Sequence, residues 1–278
     1  SIVPFVDPGA MAALVMSAFG SKEGMYYPKG GVQALANLLV RGLTKYDGEL
    51  ALNTMVNKIM IEDNKAIGVE LANGSQVRSG YTVSNIDARQ TFLKLVGEGK
   101  LSPKFVKELN ESNVGNPPFL VSLGANLNLK AMGFDGADIA YNPSDTPEEL
   151  FGGDIEKRSL SIEMHSVRAP SQAPEGMSSV QFLTWLPYDY VADWKAEKET
   201  IADKLITLAE KVIPGLLTHI VCRHIITPLT WEQETLNSQG AAGWYPAPKG
   251  KMRSQKTPIK NLYQAGQWTF PGGGVPTV

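Results

Sequence analysis

The residues best placed to do chemistry stand together in the last stretch, Asn261 to Val278, NLYQAGQWTFPGGGVPTV. Leu262 to Ala265 read as a short buried strand, and Gly272, Gly273 and Gly274 in a row read as a sharp turn. Val275 and Pro276 read as a helix opening, because proline is tolerated at the first helical position. Strand, glycines and helix start together would aim free backbone N–H groups at an anion or at the edge of an electron-rich ring.

Other chemistries find less support. The histidines are His165, His219 and His224, with no i, i+4 helical pair and no cysteine pair, so no metal site is expected. Cys222 lies in an apolar stretch and is expected in the core. No G-x-S-x-G is present. Glu232 and Glu234 flank Gln233, a spacing that does not bring two carboxylates face to face on a helix, so capping or solvation is expected of them. Neither a G-x-x-x-x-G-K-[ST] nor a G-x-G-x-x-G is present. No catalytic side chain can be named from residue type and spacing.

The 278 residues are 43% hydrophobic and 19% charged, an ordinary globular composition with room for one large domain or two. A net charge of −2 gives no basic field for nucleic acid. One cysteine excludes a disulfide within the chain and fits a reducing, cytoplasmic setting. The chain opens on Ser1 with no signal peptide, which reads as a piece cut from something longer. Ala10 to Phe19 is apolar apart from Ser17, about half of the roughly 20 residues that a membrane span needs. It is read as a buried helix, with a helix dipping into a membrane surface as the alternative.

The elements that must position the last stretch follow from pattern. Leu35, Leu38, Leu39, Gly42 and Leu43 predict a helix after YYPKGG, closed by a left-handed Gly48. Short strands are expected at Glu49–Leu52, Val56–Glu62, Ala66–Leu71, Ser75–Arg78 and Tyr81–Ser84, with Asn73-Gly74 as a two-residue hairpin turn. A helix over Ala88–Val96 follows, then a short one from Ser102, strands at Phe119–Leu127, Ser159–Ser166 and Ser178–Leu186, a helix within Asp189–Ile213, and a strand at His219–Thr227. This divides into an α/β unit with a β-meander, 45–96 and 259–278, and an α+β unit with a mixed or antiparallel sheet, 97–258. Residues 1–44 form a helical segment of the second unit.

The order YYPKGG, LNTMVNKIMIEDNKAIGVELANG, VSN, TPLTWE and NLYQAGQWTFPGGGVP resembles the C-terminal part of the phytoene dehydrogenase–related flavoproteins, which include carotenoid desaturases and isomerases. The resemblance implies an FAD-dependent oxidoreductase with a Rossmann-like cofactor unit and a substrate domain. It implies that Thr54 to Val56 pass the adenine, with the Val56 backbone reading it. Gly266 and Gln267, flanked by Trp268, would meet the ribityl and pyrophosphate, and Gly272, Gly273, Gly274, Val275 and Pro276 would approach the isoalloxazine. Tyr27, Lys29 and Gly30 would lie near the flavin and the substrate tunnel, with Trp185, Phe119, Leu123, Phe182 and Leu186 as candidates for the tunnel's lining. The implied chemistry is loss of a hydride from an allylic C–H of a small apolar, polyene-like substrate to the flavin, with a proton leaving the neighbouring carbon.

Two departures from the family pattern stand out. Gln267 occupies a position where many relatives carry Asp, keeping hydrogen bonding without charge. The N-terminal dinucleotide fingerprint is absent, so FAD is expected to bind this chain weakly or not at all. The missing segment would leave apolar surface for self-association. Two other readings remain: a flavoenzyme of the same fold acting on an amine or thiol, with Tyr26, Tyr27, Trp244 and Tyr245 as an aromatic cage, or a non-catalytic binding or membrane-docking module.

Overall fold

A computed structural model describes residues 27–112, 114–241 and 254–269. The chain divides into two compact units: Ala51–Asn116 with the described residues from Trp231 onward, and 27–50 with Pro117–Thr230.

In the first unit, strands β1 (Val56–Glu62), β2 (Lys65–Leu71) and β3 (Gln76–Arg78) form the expected antiparallel meander. Asp63 and Asn64 turn it with φ of 46° and 58°. The second hairpin differs from expectation. Gly74 N–H donates to Leu71 O and Leu71 N–H to Ser75 O, so the loop has three residues with Gly74 alone left-handed. Glu49–Leu52 is not a strand, because no neighbour pairs with it and Leu50 and Leu52 face solvent. Strand β4 (Thr82–Ser84) runs parallel to β10 (Leu262–Gln264). A helix over Gln90–Gly97, wound as a π-helix, follows β4. The short helix Pro103–Asn110 was expected in the second unit. It packs in this one instead: Leu109 is fully buried, and Phe105 meets Phe92 edge-on at 5.0 Å. The Arg89 guanidinium donates to Leu109 O, Asn110 O and Ser112 O, satisfying carbonyls at that helix's end.

In the second unit, helix α1 (Gln33–Lys45) lies where the apolar spacing put it, and it buries none of its residues. Its end is a Schellman turn: Gly48 N–H donates to Leu43 O and Asp47 N–H to Thr44 O. The left-handed residue is therefore Asp47, at φ 59°, and not the expected Gly48. Short aspartate side chains tolerate that conformation.

Five strands make the sheet: β5 (Pro118–Ala125), β6 (Ile139–Tyr141), β7 (Leu160–Glu163), β8 (Ser178–Trp185) and β9 (Ile220–Ile226). Their order is β6-β7-β8-β5-β9 and every pair is antiparallel. Helix α2 (Trp194–Glu210) supplies one side of its core with Trp194, Ile201, Leu205 and Leu208, all buried. Asp193 starts it by accepting from Lys195 N–H and Ala196 N–H.

Strand register sorts the side chains onto two faces. Phe119, Val121 and Leu123 share one face with Val180, Phe182, Leu160 and Ile162, all within the core built with α2. Leu120, Ser122, Gly124, Gln181, Leu183 and Trp185 alternate onto the other. Cys222 corrects an expectation. It pairs with Gly124 on that second face, in an edge strand, and is exposed. Its neighbour Arg223 takes the helix side, 2.6 Å from Glu199 and 2.7 Å from Asp203 of α2.

Candidate functional sites in the two units

In the first unit the chemistry-bearing groups gather at the carboxyl edge of the β4–β10 pair. Ser84 pairs with Gln264, and Ala265 N–H donates to Ser84 O at 2.8 Å, so both chains turn away at one level. Ligands of parallel α/β sheets bind at such carboxyl edges. Gly266 follows at φ +79°, and a Cβ there would overlap Asn85 Oδ1. The positive φ favours glycine there, and a larger residue would also have to displace the Asn85 side chain.

Polar groups around the turn are tightly assigned. Asp87 Oδ1 caps the following helix by accepting from Arg89 N–H at 2.5 Å and Gln90 N–H at 3.1 Å, and its Oδ2 accepts from Ser238 N–H at 2.6 Å. Gln267 Nε2 donates to Ala241 O at 3.2 Å. Trp268 is buried and its Nε1 donates to Asn237 Oδ1 at 3.2 Å. Gln264 is the exception. Its Nε2 donates to Ile86 O at 2.6 Å, but its Oε1 is buried without a hydrogen-bond partner among the described residues. Buried acceptors are rarely left so, and the exceptions mark places where a ligand or water belongs. A glycine pinched against its neighbour beside an orphaned acceptor fits the cofactor turn that the sequence resemblance implies.

Val56 opens β1, half-exposed and paired with Leu71. Lys65 bridges Lys260 in parallel, so β2 and β10 point the same way, and Val56 lies toward the end at which Gly266 turns. The structure gives no direct contact between Val56 and that turn. Gly272, Gly273, Gly274, Val275 and Pro276 lie outside the described residues, as do Ala10–Phe19, Tyr26, Trp244 and Tyr245.

In the second unit Tyr27 stacks on His165, with ring centroids 4.8 Å apart, and its hydroxyl bonds the Gln172 amide at 3.0 Å. Lys29 and Gly30 are exposed and touch no polar group of the unit. The neighbouring Gly31 is buried, and a Cβ there would overlap Gln172 Nε2. Phe119, Leu123, Phe182 and Leu186 are core residues behind the sheet, so they do not line the open face. Trp185 does stand on that face, 44% exposed. Its carbonyl accepts from the buried Arg158 guanidinium at 3.0 Å, which also holds Phe151 O and Gly153 O at 2.8 Å.

A set of polar side chains that residue spacing had not singled out shares that face. Glu163, Gln181, Ser122 and His224 are consecutive cross-strand partners through β7, β8, β5 and β9. Glu163 Oε2 lies 3.0 Å from His165 Nε2 and accepts from Gln181 Nε2 at 3.4 Å. Burial pushes the Glu163 carboxyl above its usual range, against the pull of His165. His165 Nδ1 is buried with no partner among the described residues. The alternation of polar with apolar residues in LSIE and SSVQF was the available signal that these groups share a face.

In TPLTWEQET Glu232 makes a local bond and Glu234 is exposed. Thr227 Oγ1 accepts from Thr230 N–H, and Glu232 Oε1 accepts from Gln239 N–H at 3.1 Å. Among the described residues no group of His, Cys, Asp and Glu is arranged to hold a metal, and no helix is long and apolar enough to cross a membrane.

A phytoene desaturase (lycopene-forming) of Pseudescherichia vulneris is 28% identical over 281 residues, covering 95% of this chain and 56% of the relative. A chloroplastic prolycopene isomerase of Daucus carota is 30% identical over 269 residues, covering 92% of this chain and 42% of the relative. The chain thus spans about half the length of the relatives it matches. Among solved structures, an oxidoreductase from Methanosarcina mazei superposes with a TM-score of 0.62 at 16% identity, over 89% of this chain and 51% of that one. That likeness shows a shared oxidoreductase fold. The family model for flavin-containing amine oxidoreductase matches residues 6–278, and the chain belongs to that family, in its carotenoid desaturase-like branch.

Proposed function

We propose that this chain contributes the carboxyl-edge half of a flavin site and the substrate sheet of an oxidoreductase that dehydrogenates or isomerises an apolar, polyene-like molecule. The observation that carries the reading is the β4–β10 edge, where Gly266 is pinched against Asn85 beside the unpaired Gln264 Oε1. FAD, when bound, supplies the hydride acceptor. The chain's own residues do the rest. Gly266 lets the backbone come close, Gln264 offers a buried acceptor, and Val56 stands toward the same end for the adenine. Trp185 and Leu183 offer an apolar surface that aligns the substrate, and Tyr27, stacked on His165, belongs to the same unit. The desaturase and isomerase names of the relatives support a polyene substrate. Of the residues named for an amine cage, Tyr27 is the one within the described residues, and it stacks on His165.

FAD is expected to bind this chain weakly, because no G-x-G-x-x-G supplies a pyrophosphate cradle. The test is titration of FAD fluorescence with the purified chain, followed by gel filtration and a visible spectrum. Saturable quenching that disappears in Gly266→Val, with the flavin stripped on the column, is the expected result. A stoichiometrically yellow chain would overturn the weak-binding statement. No saturable quenching, or equal quenching by Gly266→Val, would overturn the edge assignment. With FAD and a linear polyene supplied, a red shift of the polyene spectrum reports dehydrogenation, and a changed spectrum at constant mass reports isomerisation.

A further inference from the structure

The open face of the five-stranded sheet is not uniformly apolar. Leu120 pairs across strands with Leu183 on one side and Ile226 on the other, and Trp185 lies two residues beyond Leu183 along β8. One register step away runs the row Glu163–Gln181–Ser122–His224. Trp185 and Gln181 are four residues apart along β8, about 13 Å at the rise of a strand. An apolar body of that length would end on the polar row.

The row has bonding capacity to spare. Ser122 Oγ reaches Gln181 Oε1 at 3.5 Å and Gln181 Nε2 reaches Glu163 Oε2 at 3.4 Å, both at the long limit of a hydrogen bond. His224 is exposed and its ring makes no hydrogen bond among the described residues. A plain hydrocarbon seated here would take these groups from water and return no partner. The charged groups near the row already have partners: Glu163 Oε2 lies 3.0 Å from His165 Nε2, and Arg168 stands 3.8 Å from Asp138.

We infer that this face receives an apolar molecule carrying one neutral hydrogen-bonding group, a hydroxyl or carbonyl, which docks on the Gln181–Ser122 centre of the row. The inference rests on the reading of the open face as the substrate surface and narrows the substrate from hydrocarbon to oxygenated polyene.

The test uses three linear polyenes of equal length in detergent micelles: a hydrocarbon, its terminal alcohol and its terminal amine. Each quenches tryptophan emission of the whole chain. The alcohol is expected to bind about tenfold tighter than the hydrocarbon, the worth of one net hydrogen bond. In Gln181→Leu and in Ser122→Ala that ratio should fall toward one. Circular dichroism melts confirm that each variant folds, and either variant alone suffices. Equal binding of hydrocarbon and alcohol, or a ratio that survives both substitutions, overturns the inference and leaves the apolar-substrate reading standing. Tightest binding of the amine overturns it in favour of a charged group. No saturable binding of any polyene overturns both readings together.

Discussion

The two faces of the β6-β7-β8-β5-β9 sheet are built from alternate residues of the same strands, yet they have opposite characters. The face toward α2 carries Phe119, Val121, Leu123, Val180, Phe182, Leu160 and Ile162, none more than 2% exposed. The other carries Trp185, Gln181, Ser122, Cys222 and His224, none of them buried, with Leu120 as its buried residue. One face closes the unit's core. The other spends large and polar side chains on water, which stabilises nothing in the unit by itself. The difference teaches where to look for recognition: at groups the fold displays but does not use.

The largest expected effect sets one β8 residue against another. Phe182→Ala should cost about 3–5 kcal/mol by opening a cavity under α2, whereas Trp185→Ala should cost under about 1 kcal/mol. Urea melts of the two variants check this, and similar losses would erase the distinction between the faces. Arg158→Ala comes next. It leaves the Phe151, Gly153 and Trp185 carbonyls without their donor and should cost about 2–3 kcal/mol. Recovery of stability in Arg158→Lys would point to charge rather than to the guanidinium's fork.

A smaller effect tests the open face by pH. Burial raises the Glu163 carboxyl, so the folded state binds that proton more tightly than the unfolded chain does. Its contribution is full below the ordinary carboxylate range, about pH 4, and is lost as pH rises through the raised value. Wild type should therefore lose melting temperature relative to Glu163→Gln as pH climbs from about 4. Parallel curves would show a carboxyl at its ordinary value. The smallest perturbation is chemical: Cys222 should react stoichiometrically with a thiol reagent in the native protein, at a rate close to that in denaturant. A protected thiol would return it to the core.

Much of the architecture was legible because local rules carry it. Val56–Glu62 fell where the pattern put it, and α1 and the antiparallel five-stranded sheet followed from periodicity and turn residues. Cys222 was not legible. IVCRHII reads as a buried run, and only the strand order puts it at an edge. Phe182 and Trp185 look alike as aromatic strand residues; which of two alternating faces a helix covers is decided by tertiary packing. The row from Glu163 to His224 draws single residues from four strands whose register no local window contains. At the turn after β10, Gly266 was readable from its motif, but its intimacy with Asn85 joins positions 181 residues apart (266 − 85). The packing of Gly31 likewise depends on Gln172, far along the chain.

Strand β9 has a consequence for how the molecule meets others of its kind. It is seven residues long and ends the sheet, with no strand on its outer side among the described residues. A free strand edge of that length is a template on which another chain can crystallise into a shared sheet. Arg223 in its middle acts as a gatekeeper: tethered by Glu199 and Asp203, it keeps a charge fixed in the strand that an incoming apolar strand would have to bury. The two carboxylates of α2 thereby guard solubility as well as fold, and high salt, by screening them, is the condition under which that guard is weakest.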